Sequence, residues 1–599
     1  MRERRRKGVR AQLVLLSAVV GDTNGLERWI SGSLLRTDVR PIPLDEGILC
    51  ADGTFRFVSD DGGQKVQHIA NTNYRKGSAQ DVLIPVVRKL VNDGESVIVF
   101  REIKSMTRAV AAYLSRELGL PPAMAAMAAL PQTDLSAASK ALRDALAGGV
   151  AFHNADLALE ERAAIENAFR KGDGVKVIVA TTTLAMGINT PASTVIIAGL
   201  EHPGDEGGPY SVAEYKNMAG RAGRFGFSPR GKSMIVCLNP MEEHQLWSHY
   251  VKGSVESLAS RFLDSDPATL ICRVLATADR VKVPSMRKAD MLGFIESSFG
   301  AFQQAQRSAR HTFSSEMVSD TLDRLLLNQL IRQDDAGYQL TELGRVAGAN
   351  GVAVESILRV AEALRGTPAP SVRDAALIAA TQLTVELDAV VFPIHKKSTK
   401  ERERWHGALR TQQLPSKLLQ SILQGQNATA RAKRAAAVFM WIQGKELSAI
   451  EASIMRHLPG EDAAGAIRAA AERTRDLLPV AVRVVELLLN GEAVGMGARA
   501  DRLLVQLELG VSAPMVPLAK LAGTRLGRGD YLALDVRGLR HPVSLAAASD
   551  VEIETLLASK EKVRVVRECE ARMGAEADAT CDLSDTMPDV FEETRAVDD

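Results

Sequence analysis

The chain has 599 residues, which corresponds to roughly four domains at about 150 residues each. Its 74 lysines and arginines and 73 aspartates and glutamates leave a formal net charge of +1, which excludes a wholly basic, histone-like binder and an acidic disordered protein. The five cysteines are scattered and form no CxxC pair, which argues against a disulfide framework and a zinc site and predicts a reducing, cytoplasmic compartment. The sequence contains no run of about 18 uncharged apolar residues, so it predicts no membrane span.

Apolar runs of strand length alternate with helical patterns over the first part of the chain. The predicted strands are Val97–Phe100, Val150–Phe152, Val175–Ala180, Thr194–Gly199 and Ser233–Cys237. The predicted helices are Lys104–Leu118, Leu159–Arg170, a short one near Leu184, and Val212–Ala222. This alternation indicates a parallel sheet, and the uninterrupted apolar strands indicate that both of its faces are covered. We therefore predict one open α/β domain over residues 49–255.

The remainder of the chain has mainly helical periodicity. Three helices, over Leu270–Ala278, Lys288–Phe299 and Ser315–Leu330, precede a hairpin over Leu330–Leu340 whose turn lies at Asp335–Gly337, which predicts a winged helix at 256–350. An alanine-, leucine- and arginine-rich stretch predicts a helical bundle at 351–500. Short helices at 501–573 are predicted to turn at four glycines, namely Gly510, Gly523, Gly527 and Gly529. The acidic tail at 574–599 is predicted to be disordered.

The segment Tyr215–Arg224 is the strongest chemical signal. Arg221 and Arg224 are three residues apart, which predicts that they share one face of a helix. Gly220 and Gly223 remove side chains beside them, so that backbone or ligand can approach closely. A pair of permanently charged guanidinium groups suits the stabilisation of a transferring γ-phosphoryl group. An arginine-rich, solvated helix end explains the pattern equally well.

A second signal, Thr181–Pro191, directly follows the predicted strand Val175–Ala180. Ligands bind at the carboxyl ends of strands in open α/β sheets, and three successive threonine hydroxyls can donate hydrogen bonds to phosphate oxygens. The alternative is an ordinary threonine cap of a helix.

Together the two segments resemble motifs VI and V of superfamily-2 helicases, in the DExH group called Ski-two-like, which includes archaeal Hel-type repair helicases. Val97–Arg101 resembles motif IV, and His153–Glu166 resembles the motif between IV and V. Leu16–Val19 resembles motif III, with Val19 in place of the usual threonine, and Arg40–Leu44 resembles the joint between the two motor domains. The order and spacing match from residue 12 to about 350. The resemblance implies a multidomain α/β and α protein, with a remnant of a first RecA-like domain at 1–48 and a second RecA-like domain at 49–255. A winged helix, a ratchet-like helical bundle and a helix-hairpin-helix-like end would follow.

The resemblance also implies roles at a nucleotide site for ATP and Mg²⁺. Arg221 and Arg224 would be arginine fingers that face the γ-phosphate. Gly187 and Asn189 would lie at the nucleotide and interdomain side of motif V, and Gly220 would lie beside the nucleotide. No residue is predicted to bind a resident metal, because the main phosphate and Mg²⁺ ligands of this family belong to motifs that the chain lacks.

On the nucleic-acid side, the resemblance implies that His153, Thr181 and Thr182 contact the nucleic-acid backbone. Ser17 and Ala18 would couple hydrolysis to movement along the strand.

The P-loop and the Asp-Glu motif should precede motif III, but the chain has only eleven residues before Gln12. Gly226–Ser233 fits the P-loop pattern literally, yet it follows a helix and enters a strand, whereas a P-loop leads from a strand into a helix. Pro229 also removes one backbone amide. We therefore expect either a gene whose start was assigned too late, so that the sequence is truncated, or a split helicase whose first RecA-like domain is a separate chain. We also expect no ATP hydrolysis by this chain alone. Gln12–Leu16 would then be a strand without its sheet and an exposed edge.

Several basic groups in the helical half are candidates for nucleic-acid contact. Arg468, Arg475 and Arg483 form one stripe on Ile467–Leu488, where Pro479 predicts a kink or a break. In related helicases a long helix of this bundle contacts the single strand; the alternative is a solvated arginine face. Three further groups remain open between phosphate binding and a structural or solvated role: His395–Trp405; Arg431, Lys433 and Arg434; and Lys520, Arg525, Arg528, Arg537 and Arg540.

The resulting hypothesis is an ATP-dependent 3′-to-5′ helicase or translocase that acts on single-stranded or forked nucleic acid. We favour DNA over RNA, although no residue distinguishes them. The alternative is a non-enzymatic, nucleic-acid-binding subunit that supplies Arg221 and Arg224 to a separate ATPase chain. No membrane partner is expected.

Overall fold

The computed structural model describes residues 12–37, 39–59, 61–74, 78–185, 192–203, 207–223, 229–283, 285–306, 314–395, 398–456, 462–489 and 495–576. The chain forms two compact units. The first contains residues up to 130, 138–261 and 299–309, and the second contains residues 131–137, 262–298 and 310 onward.

The first unit is built on an eight-stranded sheet. Its strands are β1 Leu44–Cys50, β2 Thr54–Val58, β3 Gln64–His68, β4 Val97–Phe100, β5 Val150–His153, β6 Val177–Ala180, β7 Thr194–Ile197 and β8 Gly231–Cys237, in the order β3-β2-β1-β8-β7-β4-β6-β5. All neighbouring pairs from β1 to β5 in this order are parallel, and β2 and β3 add an antiparallel edge. The predicted parallel α/β sheet is therefore present. The boundary predicted at residue 48 falls inside β1.

The helices of this unit up to Leu246 are α1 Leu26–Ile30, α2 Gln80–Asn92, α3 Lys104–Glu117, α4 Met124–Ala129, α5 Ala137–Leu146, α6 Leu159–Lys171, α7 Val212–Ala219 and α8 Glu243–Leu246. Helices α2 to α8 contribute residues to the apolar core around the sheet, whereas α1 has no buried residue. Every residue of β4, β5, β6 and β7 is buried, because helices cover both faces. On α2 the buried positions Val82, Val86 and Leu90 recur at helical spacing. Gln12–Leu16 is not a strand, and Leu16 is 92% exposed.

Two helices, α9 Pro267–Arg280 and α10 Lys288–Glu296, begin the main part of the second unit, whereas the following α11 Phe299–Gln306 belongs to the first. The predicted helix Lys288–Phe299 therefore ends early, and Phe299 starts another helix. Helix α12, Ser315–Leu327, leads to the antiparallel hairpin of β9 Ile331–Asp334 and β10 Gly337–Leu340. The hairpin lies where the sequence predicts it.

The rest of the second unit is helical. Its helices are α13 Glu342–Ala349, α14 Val354–Leu364, α15 Asp374–Thr381, α16 Val385–Asp388, α17 Thr399–Arg410, α18 Ser416–Ile422, α19 Ala428–Ile442, α20 Leu447–Ile454, α21 Ala464–Leu488, α22 Met496–Leu509, α23 Val516–Ala522, α24 Arg528–Val536, α25 Pro542–Ala547, α26 Asp550–Leu557 and α27 Lys560–Glu576. A separate apolar cluster runs from Val511 to Met573 and forms the core of the last five helices.

Three local predictions in this unit need correction. Helix α21 continues through Pro479, so the predicted break does not occur. Gly529 lies inside α24 and makes no turn. Helix α27 extends to Glu576, so the first residues of the predicted tail are helical, and 577–599 lie outside the described residues.

Among the described residues, no single helix is long and apolar enough to cross a membrane; Met496–Leu509 and Ala513–Arg525 meet that test only as a pair bent by 96°.

Candidate functional site

The strand register brings several predicted site residues to one edge of the sheet. His153, Ala180, Phe100 and Ile197 are the last residues of β5, β6, β4 and β7, and they pair in one row. The residues that follow form the carboxyl edge, because all four strands are parallel. The motif IV-like Arg101 therefore comes to the same edge as His153 and Thr181.

His153 is completely buried at this edge. Its Nε2 lies 2.9 Å from Oε1 of Glu166 on α6. A nucleic-acid backbone cannot reach this side chain as it lies, so the predicted contact requires its exposure. In the present geometry His153 holds α6 against the end of β5.

The threonines after β6 are held in a compact turn. Thr181 is 7% exposed, and its backbone N–H donates to the His153 carbonyl over 3.2 Å. Thr182 begins the 3-10 turn Thr182–Ala185. Its hydroxyl shares a hydrogen bond with Tyr210, the pKa of which is raised, chiefly by burial. Thr182 is therefore the more accessible of the two predicted backbone contacts.

Lys104 adds a cation to this edge that the sequence reasoning did not identify. Its Nζ lies 2.9 Å from Oδ1 of the buried Asp156, and 44% of its side chain is exposed. Asn154 fixes the same corner by donating to the Thr107 hydroxyl over 2.9 Å. The motif-like run from His153 therefore positions a half-exposed lysine at the start of α3.

Arg101 and Glu102 close the edge above β7. Arg101 Nη1 donates to the Ala198 carbonyl over 2.5 Å. A Cβ atom at Gly199 would lie 1.4 Å from Oε1 of Glu102, so a larger residue there would require this carboxylate to move. The edge therefore presents cations and carboxylates in fixed positions.

The two described ends of the loop between β7 and α7 pair with each other. Glu201 and Pro209 form an antiparallel bridge, and the His202 N–H donates to the Gly208 carbonyl over 2.9 Å. The His202 ring packs edge-on against Tyr210, with ring centroids 4.5 Å apart. The Pro-Gly and Gly-Pro pairs in the sequence of this loop are turn signals, and they could have predicted that its two ends pair.

Arg221 lies at the other, amino edge of the sheet. Helix α7 ends at Ala219, and Arg221 follows in a turn. The turn is fixed to the start of β7, since Ala192 N–H donates to the Arg221 carbonyl and Gly223 N–H to the Ala192 carbonyl, over 3.0 and 2.9 Å. The prediction that Arg221 shares a helical face with Arg224 is wrong, because the helix has already ended; Arg224 lies outside the described residues.

Gly223 belongs to the turn that follows α7. Its φ is +63°, a left-handed conformation that favours glycine, and a Cβ there would lie 2.6 Å from the Gly231 nitrogen. Arg40 Nη2 donates to the Ala222 carbonyl over 3.1 Å, which ties the predicted joint to the same turn. Arg221 is only 5% exposed. Its guanidinium must therefore emerge if it is to face a phosphate.

The other predicted nucleotide-side residues contribute less. Gly220 has an ordinary helical φ of −61°, which does not require glycine, and a Cβ there would make a tight contact of 3.0 Å with Lys216 O. Gly187 and Asn189 lie outside the described residues. Ser17 and Ala18 are exposed in an irregular segment. Four residues later the backbone is fixed, because the Leu258 N–H donates to the Asp22 carbonyl over 2.8 Å.

The literal P-loop match has the wrong structure for phosphate binding. Gly231, Lys232 and Ser233 are the first residues of β8, and Lys232 Nζ lies 2.5 Å from Oε1 of Glu95. Among the described residues, no three His, Cys, Asp or Glu side chains are grouped so that they could hold a metal ion.

The arginine stripe on α21 alternates with acidic side chains. Arg475 Nη2 lies 3.0 Å from Oδ1 of Asp476. Arg483 lies 3.1 Å from Glu486 and 3.4 Å from Glu342. Arg468 is partly buried. The stripe is therefore a mixed, partly neutralised surface.

The basic group on α19 is a structural cluster. Arg431, Lys433 and Arg434 are 9%, 0% and 1% exposed, and they pair with buried carboxylates. Trp405 is 2% exposed, so it cannot stack on a base. In this structure neither α19 nor Trp405 offers a surface to nucleic acid.

Comparison with known proteins agrees with the geometry of the first unit. Residues 80–226 match the helicase conserved C-terminal domain. The chain is 33% identical over 351 residues to the ATP-dependent DNA helicase Hel308 of Pyrobaculum calidifontis, over 57% of this chain and 47% of that protein. It is 31% identical over 353 residues to the ATP-dependent DNA helicase Hel308 of Caldivirga maquilingensis, over 56% of this chain and 44% of that protein. DNA polymerase theta of Mus musculus is 32% identical over 269 residues, 42% of this chain and 10% of that protein.

The predicted resemblance to superfamily-2 helicases is thereby confirmed, and the chain spans about half the length of the Hel308 relatives it matches. The roles of individual site residues remain predictions.

Proposed function

We propose that this chain, whose residues 80–226 match the helicase conserved C-terminal domain, is the arginine-finger part of an ATP-dependent DNA helicase that moves 3′ to 5′. The observation that carries this proposal is the Arg221 turn, which lies on the same sheet as the row of His153 and Thr181 but at its opposite edge. A motor needs a mechanical connection between the two sites, because hydrolysis at one must move a strand at the other.

At the amino edge, Arg221 is proposed to face the γ-phosphate of ATP, with Arg224, Gly187, Asn189 and Gly220 nearby. ATP with Mg²⁺ supplies the phosphoryl group whose transfer releases free energy. The guanidinium group stabilises negative charge that develops on the transferring phosphoryl oxygens. The P-loop and the Mg²⁺ ligands are proposed to come from a first RecA-like domain, in the same protein or on a separate chain.

At the carboxyl edge, Thr182 and Lys104 are proposed to contact the backbone of single-stranded or forked DNA, with Thr181 and His153 behind them. Backbone contacts position a strand without reading its sequence. Arg468 and Arg475 on α21 are proposed to contact the same strand further along. The finer domain assignment, with a winged helix, a ratchet-like bundle and a helix-hairpin-helix-like end, belongs to the proposal.

Strand β7 supports a coupling role. It begins two residues after Ala192, which bonds to the Arg221 turn at the amino edge, and its last residue, Ile197, lies in the row of His153 at the carboxyl edge. A change at the nucleotide can therefore reach the strand contact through β7. Ser17 and Ala18 are proposed to assist from the first RecA-like domain.

The test is ATP turnover by the protein completed with its P-loop half, in the presence of single-stranded DNA. Arg221→Ala should lower kcat by about 10³-fold while DNA affinity stays within twofold, because an arginine finger acts on the transition state. Arg116→Ala on α3 is the matched control, since this exposed arginine donates only to its own helix. Retained turnover in Arg221→Ala would falsify the finger assignment.

A second candidate function is a non-enzymatic subunit that binds nucleic acid and supplies its arginines to a separate ATPase chain. The structure at the literal P-loop match supports this candidate, because Lys232 forms an ion pair with Glu95. The purified chain alone distinguishes the two: ATP turnover without a partner rules out the subunit. Turnover only after addition of a P-loop chain supports it. A cytoplasmic location is proposed for either.

A further inference from the structure

A carboxylate at the amino edge of the sheet lies close to the Arg221 turn, which comprises residues 221–223. Glu95 stands two residues before β4 and lies outside every motif identified in the sequence. Its carboxylate contacts the first residues of β7 and β8. Since β7 lies between β4 and β8 in the sheet, Glu95 connects three strands at the edge where the turn is held.

The two oxygens of Glu95 bind different strands. Oε1 lies 2.5 Å from Lys232 Nζ on β8, and Oε2 accepts the hydroxyl of Thr194 on β7. Thr194 and Lys232 are register partners, and Thr194 is fully buried. The side chains of Glu95 and Lys232 are 18% and 23% exposed. Water and salt therefore screen this ion pair less than a pair on the open surface.

The backbone beside Thr194 carries the Arg221 turn. Ala192 forms a parallel bridge with Ala222. Its N–H donates to the Arg221 carbonyl over 3.0 Å, and its carbonyl accepts the Gly223 N–H over 2.9 Å. The turn is thus bonded to the residues that lead into β7.

The backbone beside Lys232 lies against the same turn. A Cβ at Gly231 would lie 2.7 Å from the Gly223 nitrogen, so the two backbones meet with no side chain between them. The Lys232 N–H donates to the Ser193 carbonyl over 3.1 Å. A change in the spacing of the first residues of β7 and β8 must therefore move the turn.

Backbone hydrogen bonds alone do not connect all three strands. The N–H groups of Ser193 and Thr194 donate to the Ser96 carbonyl, each over 3.0 Å, and this joins β7 to β4. Strands β4 and β8 cannot bond in this way because β7 separates them. The ion pair of Glu95 and Lys232 supplies that connection through side chains.

We propose that Glu95 is a positioning residue for Arg221: through Thr194 and Lys232 it sets the spacing of β7 and β8, and thereby the place of the Arg221 turn. This inference rests on the proposed function, in which Arg221 faces the γ-phosphate. A guanidinium group stabilises developing charge only from the correct position, and a misplacement of about 1 Å can lower a rate by about 100-fold. An acidic side chain outside the arginine motif would therefore control the rate of hydrolysis.

Hydrogen exchange on the chain as it stands tests the contact. Glu95→Gln keeps the shape of the side chain and one oxygen for the Thr194 hydroxyl, but its NH₂ group then faces the Lys232 ammonium, and two donors cannot bond. The amides of Ala192 and Gly223 should exchange about tenfold faster, because the turn opens more often once this connection is lost.

Two controls separate a local effect from general loosening. The Thr181 amide, which donates at the carboxyl edge, should keep its exchange rate in Glu95→Gln. Asp93→Asn removes a carboxylate two residues earlier, which is 46% exposed and pairs with Lys89, and it should leave both turn amides unchanged. Unchanged turn amides in Glu95→Gln, or equal acceleration at Thr181, would overturn the proposal.

Charge reversal is the rescue. In the double variant Glu95→Lys with Lys232→Glu the combined length of the two side chains is the same, and the new ammonium can donate to the Thr194 hydroxyl. Exchange at both turn amides should return to within about threefold of the original rate, since the ion pair is restored. Turn amides as fast as in Glu95→Gln would show that the pair does not hold the turn.

The catalytic consequence is tested in the protein completed with its P-loop half. Glu95→Gln should lower kcat for DNA-stimulated ATP hydrolysis by about tenfold while KM for ATP stays within about twofold, because a displaced finger loses a contact made in the transition state. In an Arg221→Ala background the same change should leave kcat unaltered, since Glu95 acts only through Arg221. An equal loss in both backgrounds would overturn the positioning role.

Failure of the proposed function gives a different result. Full turnover in Arg221→Ala, or no ATP turnover in the completed, unmodified protein, would overturn the proposed function. The exchange rates of the turn amides would still decide whether Glu95 holds the turn.

Discussion

Helices α19 and α21 contact each other in the helical unit and have similar alanine- and arginine-rich sequences, yet their cations have opposite surroundings. On α19, Lys433 is fully buried and lies 2.5 Å from Glu401. On α21, Arg475 and Arg483 lie at the surface beside acids of their own helix. A cluster of basic residues therefore indicates nucleic-acid binding only where distant acids do not neutralise it.

The two environments also have different energetic consequences. Removing one partner of a buried pair leaves a charge without solvent or counterion, which costs several kcal/mol. An exposed pair contributes about 0–1 kcal/mol. Stability and binding measurements should therefore separate the two helices.

The largest effect is expected for Lys433→Met. Glu401 is 1% exposed, so the variant leaves a buried carboxylate without its cation. The free energy of unfolding should fall by about 3–5 kcal/mol, measured by urea denaturation.

The double variant Lys433→Met and Glu401→Gln is the control. Glutamine still has an oxygen to accept the His395 N–H, which donates to Glu401 over 2.6 Å. Most of the lost stability should return. If Lys433→Met alone were as stable as the original protein, the proposed contrast between α19 and α21 would be wrong.

A second, smaller effect is expected for Gly510→Ala. The new Cβ would meet Arg528 Nε at 2.2 Å and Trp441 Cε2 at 2.5 Å, at a φ of +63°. The cost should be about 1–3 kcal/mol, from strain and displaced packing. Gly425→Ala isolates the backbone part, since its φ is +80° and nothing lies within 4 Å. Equal losses in both variants would mean that Arg528 can move without penalty.

On α21 the expected effect is on binding, with stability nearly unchanged. Arg468→Ala with Arg475→Ala should change the free energy of unfolding by less than about 0.5 kcal/mol. The slope of log affinity against log salt for single-stranded DNA should become shallower by about 0.7 for each lost phosphate contact. Arg473→Ala, on another face of the same helix and 42% exposed, should leave the slope unchanged. An unaltered slope in the double variant would indicate that the arginine stripe of α21 is a solvated face that does not contact DNA.

The sequence predicts the central strands but not the first three, for a physical reason. Val97–Phe100 is an uninterrupted apolar run, whereas β1 begins with Leu44, Asp45 and Glu46. Asp45 is buried because Arg230 lies 2.6 Å away, 185 residues later in the chain. Local patterns do not contain such partners, so charged strands are missed.

The candidate site shows the same limit. The motifs identify His153, Thr181 and Arg221, but only the strand register separates them onto two edges of the sheet. The turn after α7 depends on Gly223, whose close approach to Gly231 involves the backbone of a later strand. Burial of His153 likewise depends on α6 and could not be read from the motif.

The last prediction concerns pH, and it tests whether Asp388 stabilises α19 as a carboxylate. Burial tends to raise the pKa of Asp388, but the hydrogen bonds and charge of Arg431 outweigh it and hold that pKa below its ordinary 3.8. A carboxyl group with a lowered folded-state pKa adds stability above its unfolded pKa, and that contribution disappears as the pH falls through the folded value.

Asp388→Asn should therefore be less stable than the original protein at pH 7. Below about pH 4 its unfolding free energy should depend less steeply on pH, by at most about 1.4 kcal/mol per pH unit, the limit for one proton. Asp476→Asn, which removes an exposed carboxylate beside Arg475, is the control and should change the free energy of unfolding at pH 7 by less than about 0.5 kcal/mol. Parallel stability curves for Asp388→Asn and the original protein would show that Arg431 and Arg434 do not need a charged partner, and the buried cluster would then differ from the surface stripe in exposure alone.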